Sequence, residues 1–215
     1  MIPVVLAEEP KNFDEKVRKP GLLAIAEMVG ESGLPARKGP KRAVIAARRE
    51  DIPSDKFPSF WTEALPELRT AYRHVCGYMS FYIEPITGAA SVDHMLAKSA
   101  CWNEVYEWKN YRLACSLMNS RKKDYVDVLD PFEVGAEWFH IELVGYQVIA
   151  RADLDPAVKA QVDATIKRLK LNDSDCLVLR EAYANDYFEG EITFGYLSRR
   201  APFLAHELER QGKVR

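Results

Sequence analysis

Long apolar runs are missing from this chain. None of its 215 residues sits in a stretch approaching the roughly 18 consecutive apolar side chains that a membrane-spanning helix needs, so no membrane partner is expected. The opening residues, MIPVVLAEEPKNF, lack the basic lead and apolar segment of a secretory signal, and the expected location is the cytoplasm. Cysteine is scarce as well. Cys76, Cys101, Cys115 and Cys176 are too few and too scattered for the disulfide framework of a small secreted protein, so reduced thiols are expected. No internal repeat is present. Neither sign of charge dominates: 30 basic and 32 acidic residues give a formal net charge of −2, which selects neither for nor against a polyanionic partner.

What the chain does have is 47% apolar and 29% charged residues, enough to bury a core and to argue for one folded unit rather than disorder. Its charge is unevenly spread. Residues 1–72 carry 12 basic and 11 acidic side chains, residues 73–123 carry 7 and 4, and residues 124–215 carry 11 and 17. The middle segment is therefore the most basic part of a mildly acidic protein, which permits phosphate binding without demonstrating it.

The first 60 residues hold much of the proline and read as irregular wrapping around one apolar island, Gly21 to Gly30, that predicts a short helix. Within the wrapping, RKGPKRAVIAARR from Arg37 to Arg49 has six basic residues and no acid. It reads either as a tracker of a phosphate backbone or, more commonly for such runs, as a solvated loop. Leu65, Leu68 and Tyr72 at helical spacing, with Trp61 one turn earlier, predict a helix delivering the chain to Cys76. YMSFYIE, then PITG, then AASVDH reads as a strand hairpin over residues 76–93. A helix capped by Asn110 is expected to run from Tyr111 to Lys123. Further on, EWFHIELVGYQVIARA alternates like a strand pair, and Pro156 to Leu171 has helical period. Residues 173–215 read as two helices with a break near Pro202. The fold class is α+β.

Three fragments carry candidate chemistry: Ser91, Val92, Asp93 and His94 at a strand end, Trp108, Lys109 and Asn110 before a helix, and Cys115, Asn119 and Lys122 within it. Hydrolysis of a phosphodiester needs an activated nucleophile, charge stabilisation on the phosphoryl oxygens and help for the leaving oxygen, which one metal and one base can supply. A carboxylate and an amide oxygen suit a hard cation that keeps most of its waters. An imidazole suits a base near neutral pH. Taken singly, each residue has a plainer reading: a surface histidine, a helix-decorating asparagine, and, for Lys122 and Lys123, cations favoured at a helix C-terminus.

The order and spacing of these fragments resemble the HNH endonuclease motif. The stretches YIEPITGAASVDHMLAKS, EWKNYRLACSLMNSRK and DVLDPFEVGAEWFHIEL are similar to a bacterial subfamily of it, in detail over most of residues 72–143, with FDEKVRKPG and RLKLND similar outside that span. The resemblance implies a ββα-metal core over residues 73–143. A wrapping segment and helix over 1–72 and a mostly helical extension over 144–215 complete one compact unit. It implies a metal-dependent endonuclease cleaving nucleic acid, DNA rather than RNA, through a histidine-activated water. The catalytic set would be Asp93, His94, Asn110 and Asn119, with Asp93 and Asn119 as ligands of Mg²⁺ or Mn²⁺ and Asn110 pinning the loop that orients His94. Lys98, Arg121, Lys122 and Lys123 would meet nucleic acid. A role in bacterial antiphage defence, with an ATPase or other partner of such a system, is a weaker implication. The alternative is a catalytically inactive module of the same fold that binds nucleic acid or docks a partner.

The chain departs from the family in two places. Many relatives staple this fold with zinc held by two CxxC pairs, whereas here Cys76 is followed by Met79 and Cys115 by Met118. A thioether is a poor zinc ligand, so no structural zinc is expected and the four side chains should pack as an apolar cluster. Ala97 stands where the family has a proline, and Asp130 before Pro131 reads as a turn residue. His74, His140 and His206 match nothing in the motif.

Overall fold

The computed structural model describes residues 1–36 and 39–215, and the architecture is a mixture of helices with two small antiparallel sheets. Helix α1, Lys19–Met28, follows a π-helical turn at Asp14–Arg18, and α2, Leu65–Ala71, follows a 3-10 turn at Phe60–Ala64. Strand β1, Ala90–His94, pairs antiparallel with β2, Tyr111–Cys115, in a register that sets Ala90 against Cys115, Asp93 against Arg112 and His94 against Tyr111. Helix α3, Ser116–Lys122, starts where β2 ends. The second sheet pairs β3, Phe139–Ile141, with β4, Val148–Ala150. Four further helices complete the chain: α4, Pro156–Leu169; α5, Ser174–Glu189; α6, Phe194–Arg200; and α7, Pro202–Arg210.

Two expectations for the centre of the chain are corrected. Residues 76–93 do not form a hairpin with each other. Val75 and Tyr82 share a single bridge, the intervening residues make a tight turn closed by Cys76 N to Phe81 O at 2.9 Å, and the true partner of β1 lies beyond a long loop. Tyr111–Cys115 is strand rather than helix. Tyr111 through Ala114 are all buried, and a short, wholly buried run carries no periodicity that separates helix from strand. The partner decides, because pairing with β1 satisfies backbone groups that a fully enclosed segment cannot leave to water.

Near the C-terminus three helices stand where two were expected, because Gly190 ends α5 in the left-handed region (φ 84°) before the anticipated break at Ala201 and Pro202. Helix α4 shows how local signals succeed. The Asp155 carboxylate accepts from Ala157 N at 2.9 Å, a cap contributing about 1 kcal/mol, Pro156 occupies the first turn, and Val162, Thr165 and Leu169 turn inward.

Buried side chains form one continuous cluster from Met1 to Leu208. Backbone and side-chain bonds also tie the three segments together. Val4 N donates to Pro131 O, the Trp108 indole to Ala7 O at 2.8 Å, Ile141 N to the Glu207 carboxylate and Tyr82 N to Arg200 O. The loop between β1 and β2 is fixed from outside as well. Gly21 of α1 lies so close to the Tyr106 ring that a Cβ would come within 2.3 Å of it, and the Tyr106 hydroxyl donates to Pro58 O at 2.8 Å. That anchor holds Val105, whose carbonyl reaches the site described next. Among the described residues, no helix is long and apolar enough to cross a membrane.

Candidate functional site

The end of β1 brings Asp93 and His94 to a cavity of about 250 Å³ whose walls also include Asn119, Trp61, Lys98 and Lys123. The three side chains expected to act together therefore share one opening, delivered by adjacent strand positions and by the second turn of α3. Val92 and Leu113 fill the core beneath.

His94 is 8% exposed and held on several sides. Its Nε2 lies 2.9 Å from the Val105 carbonyl, and because a carbonyl only accepts, Nε2 carries the proton and Nδ1 keeps its lone pair. No protein group bonds Nδ1 among the described residues. Trp61 and Tyr111 pack edge-on against the ring at 4.9 and 5.1 Å. Burial pushes the imidazole down to about 4, with Lys98 and Lys122 adding to the fall and the Val105 contact and Asp124 opposing it. The ring is neutral at neutral pH, which is the form a base requires.

Asp93 is 2% exposed. Its Oδ2 accepts from the Tyr78 hydroxyl and lies 3.3 Å from Lys122 Nζ, leaving Oδ1 without a partner among the described residues. Burial raises this carboxyl to about 6 against the pull of Lys122 and Tyr78. Asn119 donates through Nδ2 to Ser91 Oγ at 3.1 Å and to Val92 O at 3.3 Å. Since Val92 O can only accept, the amide nitrogen must be the atom facing the strand, and Oδ1 has no partner among the described residues. Asp93 and Asn119 thus line the same cavity with one oxygen each that has no partner among the described residues, the kind of oxygen donor a hard divalent cation takes, although no cluster of three or more His, Cys, Asp or Glu side chains that could hold a metal ion occurs among the described residues.

Asn110 does not cap a helix. Its Oδ1 accepts from Leu96 N at 2.7 Å and its Nδ2 donates to Leu96 O and Glu104 O, so one side chain closes the loop from Leu96 to Val105. The cations expected on nucleic acid divide. Lys98, half-buried with Nζ 4.3 Å from the Trp61 ring centre, and exposed Lys123 line the cavity. Arg121 instead bonds the Leu169 and Lys170 carbonyls and pairs with Asp173. Lys122 is 0% exposed and donates to His94 O at 2.8 Å, so its charge serves the strand end and Asp93 rather than solvent. Both of these cations thus spend hydrogen-bonding groups on other parts of the fold.

Sequence reasoning missed two residues. Asp124 lines the cavity with one carboxylate oxygen bonded to Ser99 Oγ at 2.8 Å, and Tyr78 braces Asp93. Asp124 follows the helix with no motif to mark it. Tyr78 alternates like any strand tyrosine.

The four sulfur-bearing side chains gather at the opposite end of the ladder. Cys76 and Met118 are buried, Cys115 N lies 3.4 Å from Cys76 Sγ, and Cys115 Sγ lies 3.7 Å from Met79 Sδ. Asp130 makes a two-pronged pair with Arg112 and accepts from Phe132 N, a structural turn. In the basic run, Arg37 and Lys38 lie outside the described residues, and Arg42, Arg48 and Arg49 pair with Glu27, Asp51 and Glu31. No protein-family model matches the chain, and no curated protein matches it in sequence.

Proposed function

We propose that the chain is a metal-dependent nuclease of the HNH type, hydrolysing phosphodiester bonds in nucleic acid, DNA in preference to RNA. The observation that carries this reading is the meeting of Asp93, His94 and Asn119 at one cavity, with His94 held as the tautomer whose Nδ1 lone pair is unpartnered. His94 takes the proton of the attacking water at Nδ1. Val105 O, steadied through Asn110 and Tyr106, keeps the ring from turning as the charge arrives. Asp93 Oδ1 and Asn119 Oδ1 are the oxygens that would hold Mg²⁺ or Mn²⁺, with Asp124 a second carboxylate lining the cavity. When bound, the ion supplies charge stabilisation for the phosphoryl and leaving oxygens. Lys98 and Lys123 orient the phosphate backbone across the opening. A place in bacterial defence beside an ATPase rests on the sequence resemblance alone.

One observation favours the second reading, a non-catalytic module that binds nucleic acid or a partner. The Lys122 ammonium already sits 3.3 Å from Asp93, where it supplies the positive charge that a divalent ion would bring. Plasmid nicking by the purified chain in Mg²⁺, Mn²⁺ or EDTA, beside an RNA substrate, separates the two. The nuclease reading expects metal-dependent nicking that EDTA abolishes and that His94→Ala lowers by roughly a hundredfold or more. Nicking that survives His94→Ala removes the histidine from its role. Binding of DNA without turnover in any metal selects the module.

A further inference from the structure

A second cavity, of about 910 Å³, lies away from Asp93 and His94, between the N-terminal strap, α2, β2 and the start of α7. Its volume falls within the range of small-molecule sites, about 300–1,000 Å³. Its walls are apolar and aromatic, with Tyr72 and Phe132 facing the space and Leu113 at its back. Its charged groups are all of one sign. Arg73, Arg112 and Arg199 line it and no aspartate or glutamate does.

The charges differ in how they are used. Arg112 is committed to Asp130 and stacks on Phe132, its guanidinium carbon 3.6 Å from the ring centre. Arg73 and Arg199 are exposed, and among the described residues neither side chain has a hydrogen bond or ion pair. A polar group inside the cavity is also unmet. Ser80 is 1% exposed, lines the space and sits at φ 55° with its own amide bonding Cys76 O, and its hydroxyl has no partner among the described residues. That hydroxyl opens onto the cavity rather than being sealed in the core, so it is available to a ligand or to water. An apolar, aromatic-walled space with two spare guanidinium groups at its rim and a spare hydroxyl within describes the complement of one ligand class.

From this geometry we infer that the cavity binds a small organic anion with a flat aromatic body, the ring lying against Tyr72 and Phe132 and the anionic group meeting Arg73 and Arg199. The site is separate from the proposed catalytic cavity and shares none of its lining residues.

The test titrates the full chain with anilinonaphthalene sulfonate, with neutral N-phenylnaphthylamine as the uncharged comparator and naphthyl phosphate as competitor. The expected result is saturable binding at one site per chain, displaced by naphthyl phosphate, weakened by added salt, and about tenfold tighter than that of the neutral compound. Arg73→Glu with Arg199→Glu, both at exposed positions, should weaken the sulfonate by about tenfold or more while leaving the neutral compound unchanged. Amide chemical-shift changes should centre on Ser80, Tyr72 and Leu113. Equal affinity for charged and neutral probes, or shifts confined to other surfaces, would overturn the inference. So would sulfonate binding that ignores the charge reversal. Should the double variant unfold, Arg199→Gln alone and the salt dependence of the unaltered chain decide the same question.

Discussion

At one end of the β1–β2 ladder, where His94 faces Tyr111, burial works against the side chains it encloses, whereas at the other end, where Ala90 faces Cys115, it works for them. The polar end holds Asp93, His94 and Lys122 away from water: burial keeps His94 neutral and raises the Asp93 carboxyl, and the Asp93 carboxylate and Lys122 ammonium face each other at 3.3 Å. The sulfur end holds Cys76, Met79, Cys115 and Met118, whose polarisable, weakly polar groups lose nothing by enclosure. The same short sheet therefore carries a site that strains the fold and a staple that steadies it. The first should answer to changes of charge and the second to changes of volume.

Breaking the pair at the polar end should give the largest effect. Asp93→Ala leaves the Lys122 ammonium enclosed without a counter-ion, and urea unfolding should show a loss of about 3–5 kcal/mol. The double replacement Asp93→Leu with Lys122→Met removes both charges and should recover most of that loss. A single-variant loss below about 1 kcal/mol would mean that the pair is not what holds this end together. Next in size, Met118→Ala at the sulfur end should cost about 2–5 kcal/mol, because it opens a cavity under α3, while Met118→Leu keeps the volume and should cost under about 1.5 kcal/mol. Equal losses for the alanine and leucine variants would point to the sulfur itself. Stoichiometric zinc in the purified chain would do the same.

Much of this contrast is written in the residues, but not all of it is readable there. Asp155, Pro156 and the apolar period of α4 mark a helix because capping and periodicity act within a few residues. Tyr111–Cys115 misleads for the opposite reason. Leu, Ala and Arg are good helix formers, and only the distant partner Ala90–His94 turns the segment into strand. Asp93, His94 and Asn119 could be picked out together only through their resemblance to a known motif, whereas Asp124 and Tyr78 join them by proximity in three dimensions. Lys122 reads as a helix-end cation because charge at a helix terminus is ordinarily solvated. Its stem instead runs beneath β1 to the His94 carbonyl, a path that no local pattern records.

The two groups that burial perturbs at the polar end also oppose each other in pH. His94 titrates near 4 in the fold and about 6.5 when free, so the unfolded chain takes up that proton first and stability falls as pH drops through this window. Asp93 titrates near 6 in the fold and near 3.8 when free. The folded chain takes up that proton first, and stability rises as pH drops. Each slope is at most about 1.4 kcal/mol per pH unit, so between pH 6 and 4 they largely cancel. His94→Gln should expose the Asp93 slope, with stability growing on acidification. Asp93→Asn should expose the His94 slope, with stability shrinking by up to roughly 3 kcal/mol from pH 6.5 to 4. Slopes of the same sign in the two variants would contradict the assignment.

The smallest effect belongs to the sulfur end, and it sharpens the comparison because one thiol there behaves like a polar-end group. Cys115 is half-buried at the start of α3, where the Cys76 thiol and the first backbone amides of the helix bring it down to about 7. Cys76, fully enclosed, is pushed up instead. In a Cys101→Ser background, the rate of iodoacetamide labelling at Cys115 should reach half its maximum near pH 7, with Cys76 modified only after unfolding. Cys76→Ala removes a donor to the thiolate and should move the Cys115 midpoint toward the ordinary value of about 8.5, with little change in its maximum rate. An unmoved midpoint would assign the shift to the helix amides alone. The sulfur end would then be a staple with a reactive rim, in which neither thiol tunes the other.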